Sequence, residues 1–365
     1  MTDFVQTLKS TGGNYSLMST WESGQQCDLT SATTKVFSHG GITGGPFTDG
    51  ETINFTSGGS GLMIGVATTT QIMLESLTGT INSSDTATGA TSGASVVISD
   101  AGNSASVVLE CDAFICTDTG GADISGWTTG ASNYITIKPA AGAEHGGVVG
   151  AGFVYKSTNN NAVTLDIGQA YTQLIGIEVR NAAALGAIAL YITATTSANV
   201  FVDKCIAEVE NPNAVADGAL RVARSVDTVI RNSLFINKDA TYGVAAMLDQ
   251  RSAGIASIYN SNFIGGVQSV DWVSAVTTCS YPIIDCIFVG PVETVVTTHD
   301  GSTGYNAFSS TGAFGANQKT IVTTFGVDFG DYANDDYVPV AGGNLAGFGT
   351  DLSATFTDDI TGATR

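Results

Sequence analysis

The chain has 365 residues, enough for one large core or two smaller ones. With 43% hydrophobic residues and 45 Gly but no G-X-Y period, it is neither disordered nor collagenous and points to a turn-rich β protein. A formal net charge of −20 argues against nucleic acid as a partner, and no apolar run is long enough for a membrane span.

Met1 to Ser10 lacks the apolar stretch of a secretory signal, so the expectation is a protein made without that route or already processed. Residues 1–30 differ from the rest. Ser19-Thr-Trp-Glu22 reads as a capping box, and Leu17, Trp21 and Leu29 give a short helix an apolar stripe. Gly24 limits its length. Such a helix is expected to cover the open end of a sheet, and the segment is also the expected attachment surface.

From Val36 onward, strand follows strand. Thr52–Thr56, Gly61–Val66, Gln71–Leu74, Ser95–Ile98, Ser106–Leu109 and Tyr134–Ile137 are short runs rich in β-branched residues, bounded by turn formers. Residues 79–94 are almost all small and read as an exposed loop. The six cysteines (Cys27, Cys111, Cys116, Cys205, Cys279 and Cys286) include no C-x-x-C pair and fit no common zinc spacing. They are expected to be reduced, small, semi-buried residues. His39, His145 and His299 lie far apart in sequence.

The middle of the chain carries an internal repeat. Lys204-Cys-Ile-Ala-Glu208, Asn232-Ser-Leu-Phe-Ile236, Asn260-Ser-Asn-Phe-Ile264 and Asp285-Cys-Ile-Phe-Val289 align, and the Cys/Ser position advances by 28, 28 and 25 residues. An upstream copy, Ile175–Val179, sets Gly176 29 residues before Cys205. Between copies runs a second strand-like segment: Ala187–Ile192, Ala219–Ala223, Gly243–Leu248 and Val270–Val273. This period is that of a coil stacking on itself, because one coil cannot bury its apolar side alone. The reading predicts an all-β, right-handed parallel β-helix (β-solenoid) with a short N-terminal capping helix. It predicts a small-residue column (Cys205, Ser233, Ser261, Cys286) and a mostly aromatic one (Ala207, Phe235, Phe263, Phe288). It forbids a Cys205–Cys286 disulfide, since three coils span about 14 Å. The expected division is a cap at 1–30, the β-helix over 31–300, and terminal coils with a closing segment over 301–365 that hides the last ladder edge.

No catalytic, cofactor-binding or metal-binding residue is assigned. Glycoside hydrolysis needs two carboxylates on one face. The columns Asp203, Arg231, Tyr259, Ile284 and Lys204, Asn232, Asn260, Asp285 are mixed, and Glu208 aligns with Ile236 and Ile264. Arg221, Arg224 and Arg231 with Asp227 read as a solvated edge with local ion pairs. Asp328, Asp331, Asn334, Asp335 and Asp336 are oxygen-rich, but they lack EF-hand spacing and read as surface charge. No cofactor is expected.

Four segments resemble the right-handed parallel β-helix proteins of tailed bacteriophages and related viral and bacterial sequences. They are Asn14–Leu29; Asn133–Gly147, with its Pro-Ala-Ala-Gly…His turn; coil signatures such as Val229–Asn237; and the ending, Gly304–Ala307 with Thr350–Arg365. That ending is similar to an Asp-x-x-Gly-x-x-Arg tail, here Asp359, Gly362 and Arg365. The resemblance implies a non-enzymatic virion structural protein, a head decoration or fibre, assembled in the host cytoplasm. It would be a homo-oligomer whose partners are other virion proteins, met through residues 1–30. The alternative it implies is a tail-associated spike or receptor-binding protein that binds, and in some relatives cleaves, host surface polysaccharide. A bacterial surface adhesin is a third reading, and that class normally carries an export signal.

Overall fold

The structure, a computed structural model, describes residues 1–160, 162–183, 186–194, 199–210, 218–223, 227–238, 244–249, 256–265, 268–272, 282–289, 303–304, 306–308, 319–320, 329–331, 336–340 and 352. The chain divides into two units, Met1–Asp112 with Ile124–Lys138, and Ala113–Asp123 with Pro139–Arg365.

The second unit is the predicted solenoid. Three strands make each regular coil. On a first face Thr172–Ile175, Val200–Asp203, Thr228–Arg231, Ala256–Tyr259 and Ile283–Ile284 pair in parallel. On a second face the order is Ile115–Thr117, Val154–Ser157, Glu178–Asn181, Ile206–Val209, Leu234–Asn237, Asn262–Gly265, Ile287–Val289, Ala307–Phe308 and Lys319–Thr320, again parallel. On a third face Val163–Ile167, Ile188–Ile192, Gly218–Ala223, Val244–Asp249 and Gln268–Trp272 do the same.

Side-chain columns follow from this register. Ala207, Phe235, Phe263 and Phe288 stand in line, and the last three rings stack with centroids 5.1 Å apart at each step. In the small-residue column the Ser233 amide donates to Ser261 Oγ at 3.2 Å, and Ser261 Oγ donates to the Tyr259 carbonyl at 2.8 Å. The column turns an inward corner by satisfying backbone groups that a strand ladder would leave open. Cys27, Cys111, Cys116, Cys205 and Cys286 are free thiols, all buried; Cys279 lies outside the described residues. Burial pushes the Cys205 and Cys286 thiols up to about 12, so both stay protonated.

One register differs from the sequence reading. Glu178 pairs with Ile206, so Gly176 aligns with Lys204, not with Cys205. Gly176, Lys204, Asn232, Asn260 and Asp285 all have positive φ, between 43° and 62°. The coil needs one left-handed residue to pass from its first face to its second. Gly and Asn adopt that conformation most readily. The two asparagines also ladder: Asn260 Nδ2 donates to Asn232 Oδ1 at 2.7 Å, and Asn232 Nδ2 to Asp203 Oδ1 at 3.1 Å.

The coils do not begin at residue 31. Lys35–Ser38, Gln71–Thr78, Ser60–Met63, Thr52–Phe55, Thr86–Gly89 and Ser95–Val97 form, in that order, a six-stranded antiparallel sheet. The reason is chain length between strands. Residues 56–59 alone join Thr52–Phe55 to Ser60–Met63, and parallel pairing needs a crossover of a dozen residues or more. Phe37, Ile53, Phe55, Met63, Ile72, Leu74 and Val96 make its core. Residues 79–94 are not an exposed loop throughout: Thr86–Gly89 is a strand, and Ala87 and Ala94 are fully buried.

Residues 1–30 supply a strand as well as the expected helix. Thr2–Leu8 pairs in parallel with Ala105–Cys111. The helix spans Met18–Gln25, and its N-cap is Leu17, with no side-chain cap, so Ser19 is already inside the helix and the capping box does not form. Met18, Trp21, Glu22 and Gln25 are its buried face, while Leu17 is exposed. Trp21 Nε1 donates to Gln6 Oε1 at 2.9 Å and Gln25 Nε2 to the Tyr15 hydroxyl at 2.8 Å, fixing the helix over the strand.

The terminal segment expected at 301–365 is described only in part. Its described strands beyond the ladder, Phe329–Asp331 and Asp336–Pro339, pair antiparallel. The Thr350–Arg365 ending lies outside the described residues apart from Leu352.

Candidate functional site: an acid–arginine cluster on the second face

On the second face Lys156, Arg180 and Glu208 occupy one column on successive coils, and Glu178 lies two residues before Arg180 on the same side of its strand. Arg180 joins the acids. Its Nε donates to Glu178 Oε1 at 2.8 Å, its Nη2 also meets Glu178, and its Nη1 donates to Glu210 Oε1 at 2.8 Å. Glu208 Oε2 lies 3.1 Å from Arg180 Nε, and Glu208 Oε1 lies 2.7 Å from Lys238 Nζ. Lys156 Nζ donates to Glu210 Oε2 at 3.0 Å. Three carboxylates are thus set against three cations.

Burial decides how the cluster behaves. The side chains of Glu178 and Glu208 are 0% and 1% exposed, against 28% for Glu210. Burial raises the Glu178 carboxyl above the usual carboxylate range, although Arg180 and the Gly150 amide pull the other way. Burial lowers the Arg180 guanidinium, but Glu178 and Glu208 outweigh it and hold the group firmly charged. Removing one member leaves its partners charged in a dry place, which is far costlier than never having placed the cluster there.

A loop closes the cluster. In Ala140–Phe153 the Gly150 amide donates to Glu178 Oε2 at 2.6 Å, and His145 Nε2 lies 2.7 Å from the Lys204 carbonyl. Val149 packs against an apolar group that includes Ile206, Leu234 and Ile236 on the outer side of the same face. The column that ends the cluster therefore continues as buried apolar side chains.

Glu208, whose column reads as mixed in the sequence, is in this cluster together with Glu210. Glu178 and Arg180 were missed. A column-by-column alignment does not show them, because Glu178 approaches Glu208 diagonally through Arg180 and an alignment of Gly176 with Cys205 hides the facing of Arg180 and Glu208. Aligning Gly176 with the Asn232 and Asn260 turn residues would have uncovered it.

The other sequence candidates do not converge here. Arg221 is on the third face, its guanidinium 5.1 Å from the centre of the Tyr191 ring. Arg231 is on the first, bonded to Asp203 at 2.8 Å and 4.8 Å from the Phe201 ring centre. Arg224, His299 and Asp328, Asn334 and Asp335 lie outside the described residues, as do the side chains of Asp331 and Asp336. Asp166, which shares the third-face column with Tyr191 and Arg221, is raised to about 6 by burial, with Asp123 adding to the effect and a Thr193 hydroxyl bond opposing it. Among the described residues no three of His, Cys, Asp or Glu are grouped to hold a metal ion, and no helix is long and apolar enough to cross a membrane.

No protein-family model matches the chain, and no curated protein matches it. Among solved structures, a crystal structure of pectate lyase Pel9A aligns with 13% identity over 71% of this chain and 88% of that chain, at a TM-score of 0.33.

Proposed function

We propose that this chain is a non-enzymatic structural protein of a bacteriophage particle, displayed on the virion surface as a head decoration or fibre. The observation that carries the non-enzymatic part is the closure of the acid–arginine cluster. Its two inner carboxylates are dry, neutralised and covered, whereas acid–base work on a polysaccharide needs carboxylates that reach the substrate. The stacked ladders add stiffness, and the negative charge keeps displayed copies soluble. The particle assignment is supported by the sequence resemblance at Asn14–Leu29, Asn133–Gly147, the coil signatures and the chain's ending. Other virion proteins are the proposed partners, the assembly is a homo-oligomer, and assembly takes place in the host cytoplasm.

Residues 1–30 remain the proposed attachment segment. Phe4, Leu8, Met18 and Trp21 are fully buried, so deleting the segment would strip the first unit of its core. The test instead uses its exposed residues. Imaging of purified particles is expected to locate the protein on the head or tail, and Leu17→Asp with Thr20→Arg is expected to release it while the folded chain persists. Particles that lack the protein would end this reading.

A second reading, a spike that binds host polysaccharide, is favoured by the third-face column. Asp166, Tyr191 and Arg221 are partly exposed on successive coils, offering carboxylate, ring and guanidinium at the strand spacing of about 4.8 Å. Host polysaccharide retained by the protein and lost with Tyr191→Ala would support it. Release of reducing ends or unsaturated sugars would replace the non-enzymatic reading altogether.

A further inference from the structure

We propose that Ala140–Phe153 is a proton-operated strap, closed over the second face at neutral pH and released when His145 takes a second proton. The geometry fixes the protonation state. His145 Nδ1 accepts the Gly147 amide at 2.9 Å, so it carries no proton, and Nε2 faces the Lys204 carbonyl at 2.7 Å, so it carries one. Only the neutral imidazole satisfies both. A proton on Nδ1 points at the Gly147 N–H and breaks the turn inside the strap, and His145 is too buried, at 3% exposure, for water to replace that bond.

The surroundings define the response. From the turn between the first and second faces come Asp203 and Lys204; from the second face, under the same strap, come Glu178 and Arg180; from the strap itself comes exposed Glu144. Burial lowers the His145 value below that of a free imidazole, with the Lys204 carbonyl opposing. The closing free energy that depends on His145 is therefore full above about pH 6.5 and is lost as the pH falls below it. Glu178 works in the opposite sense, because burial raises its carboxyl and the closed form then takes up its proton more readily. Release frees the Glu178 carboxylate from the Gly150 amide.

Hydrogen exchange of the whole chain tests this, with rates corrected for the intrinsic effect of pH. Between about pH 7.5 and about pH 5.5 the amides of residues 140–153 should exchange about tenfold faster, the factor that follows from one pH unit below the free imidazole value. Residues 234–237 of the ladder should not change. In His145→Gln, which cannot titrate, the step should vanish. Equal corrected rates at both pH values, or a step that survives in His145→Gln, would overturn the proposal. Should that variant not fold, the wild-type imidazole decides by NMR titration: a His145 value at or above that of a free histidine means that the closed strap tolerates the proton and the device does not exist.

Discussion

In the second unit Phe263 lies between Phe235 and Phe288, one period away on either side, so each ring is packed by a copy of itself. In the first unit Phe55 meets Phe37 at 5.4 Å, with no repeat relating the two. Buried charge follows the same division. The first unit has Glu51, whose carboxylate takes the amides of Thr48 at 2.6 Å, Thr91 at 3.1 Å and Ser92 at 3.0 Å, and the Ser92 hydroxyl at 2.7 Å. The second unit sets Glu178 and Glu208 against Arg180. Hairpin turns bring many amides to one point, and a carboxylate there needs no cation. Stacked coils use up their amides in the ladders and supply side-chain columns instead, so Glu178 and Glu208 are neutralised by arginine and lysine.

The sharpest way to break this contrast is to interrupt the ladder. Phe263→Ala removes the ring between two stacked neighbours in a fully buried site, and a loss of about 4 kcal/mol is expected. Thermal melting followed by far-UV circular dichroism checks it. A loss below about 1 kcal/mol would mean that Phe235 and Phe288 close the gap and that the column is not the spine of the unit. Next in size is Arg180→Met, expected to cost about 3 kcal/mol because Glu178 and Glu208 stay buried without their shared cation. Replacing the three together (Glu178→Leu, Arg180→Met and Glu208→Leu) should recover most of that loss. If the triple variant were as unstable as the single one, the cluster would be stabilising in its own right and not merely costly to break.

How much of this was legible in advance follows from the same difference. Cys205, Ser233 and Ser261 repeat a small side chain at one period, and the solenoid is legible from them. The antiparallel sheet repeats nothing, and its signal is the short connection at 56–59, too brief for a parallel crossover. Thr86–Gly89 was lost because Ala87 and Gly89 face the core as small residues, without the bulk that marks a buried strand. The acid–arginine cluster was hidden for another reason. Its members touch diagonally between coils, and a one-residue slip moves every side chain to the other face.

Acid separates the units by sign. In the first unit, burial pushes Glu51 up but its four bonds outweigh this, and Asp85 is held down by the Asn82 amide and the Ser57 and Thr56 hydroxyls. Their contribution is full above the ordinary carboxylate range and is lost as the pH falls through their lowered values. Asp166 in the second unit runs the other way. Raised to about 6, it carries a penalty above that pH that fades on acidification. Asp166→Asn should therefore stabilise the protein at about pH 7.5 and have little effect at about pH 4, whereas Glu51→Gln should destabilise it at neutral pH and flatten the acid limb. Melting curves across pH check both, and a parallel response of the two variants would contradict the contrast.

The smallest effect expected comes from the coil turn. Lys204 holds a φ of 55°, where Gly176 sits without strain one coil earlier and Asn232 and Asn260 sit with little in the coils that follow. Lys204→Gly relieves the left-handed strain but adds unfolded-state entropy, leaving a net gain of about 0.5 kcal/mol. The carbonyl that receives His145 is kept, so strap closure should be unaffected. The matching change in the opposite direction, Asn232→Leu, removes the bonds to Asp203 and Asn260 and puts a branched side chain at the same backbone angle, so it should destabilise by more than Lys204→Gly stabilises. Guanidinium unfolding of the pair measures both, and the sign of the Lys204→Gly change is decisive. A loss of stability would mean that the lysine side chain contributes more at that turn than its backbone strain removes.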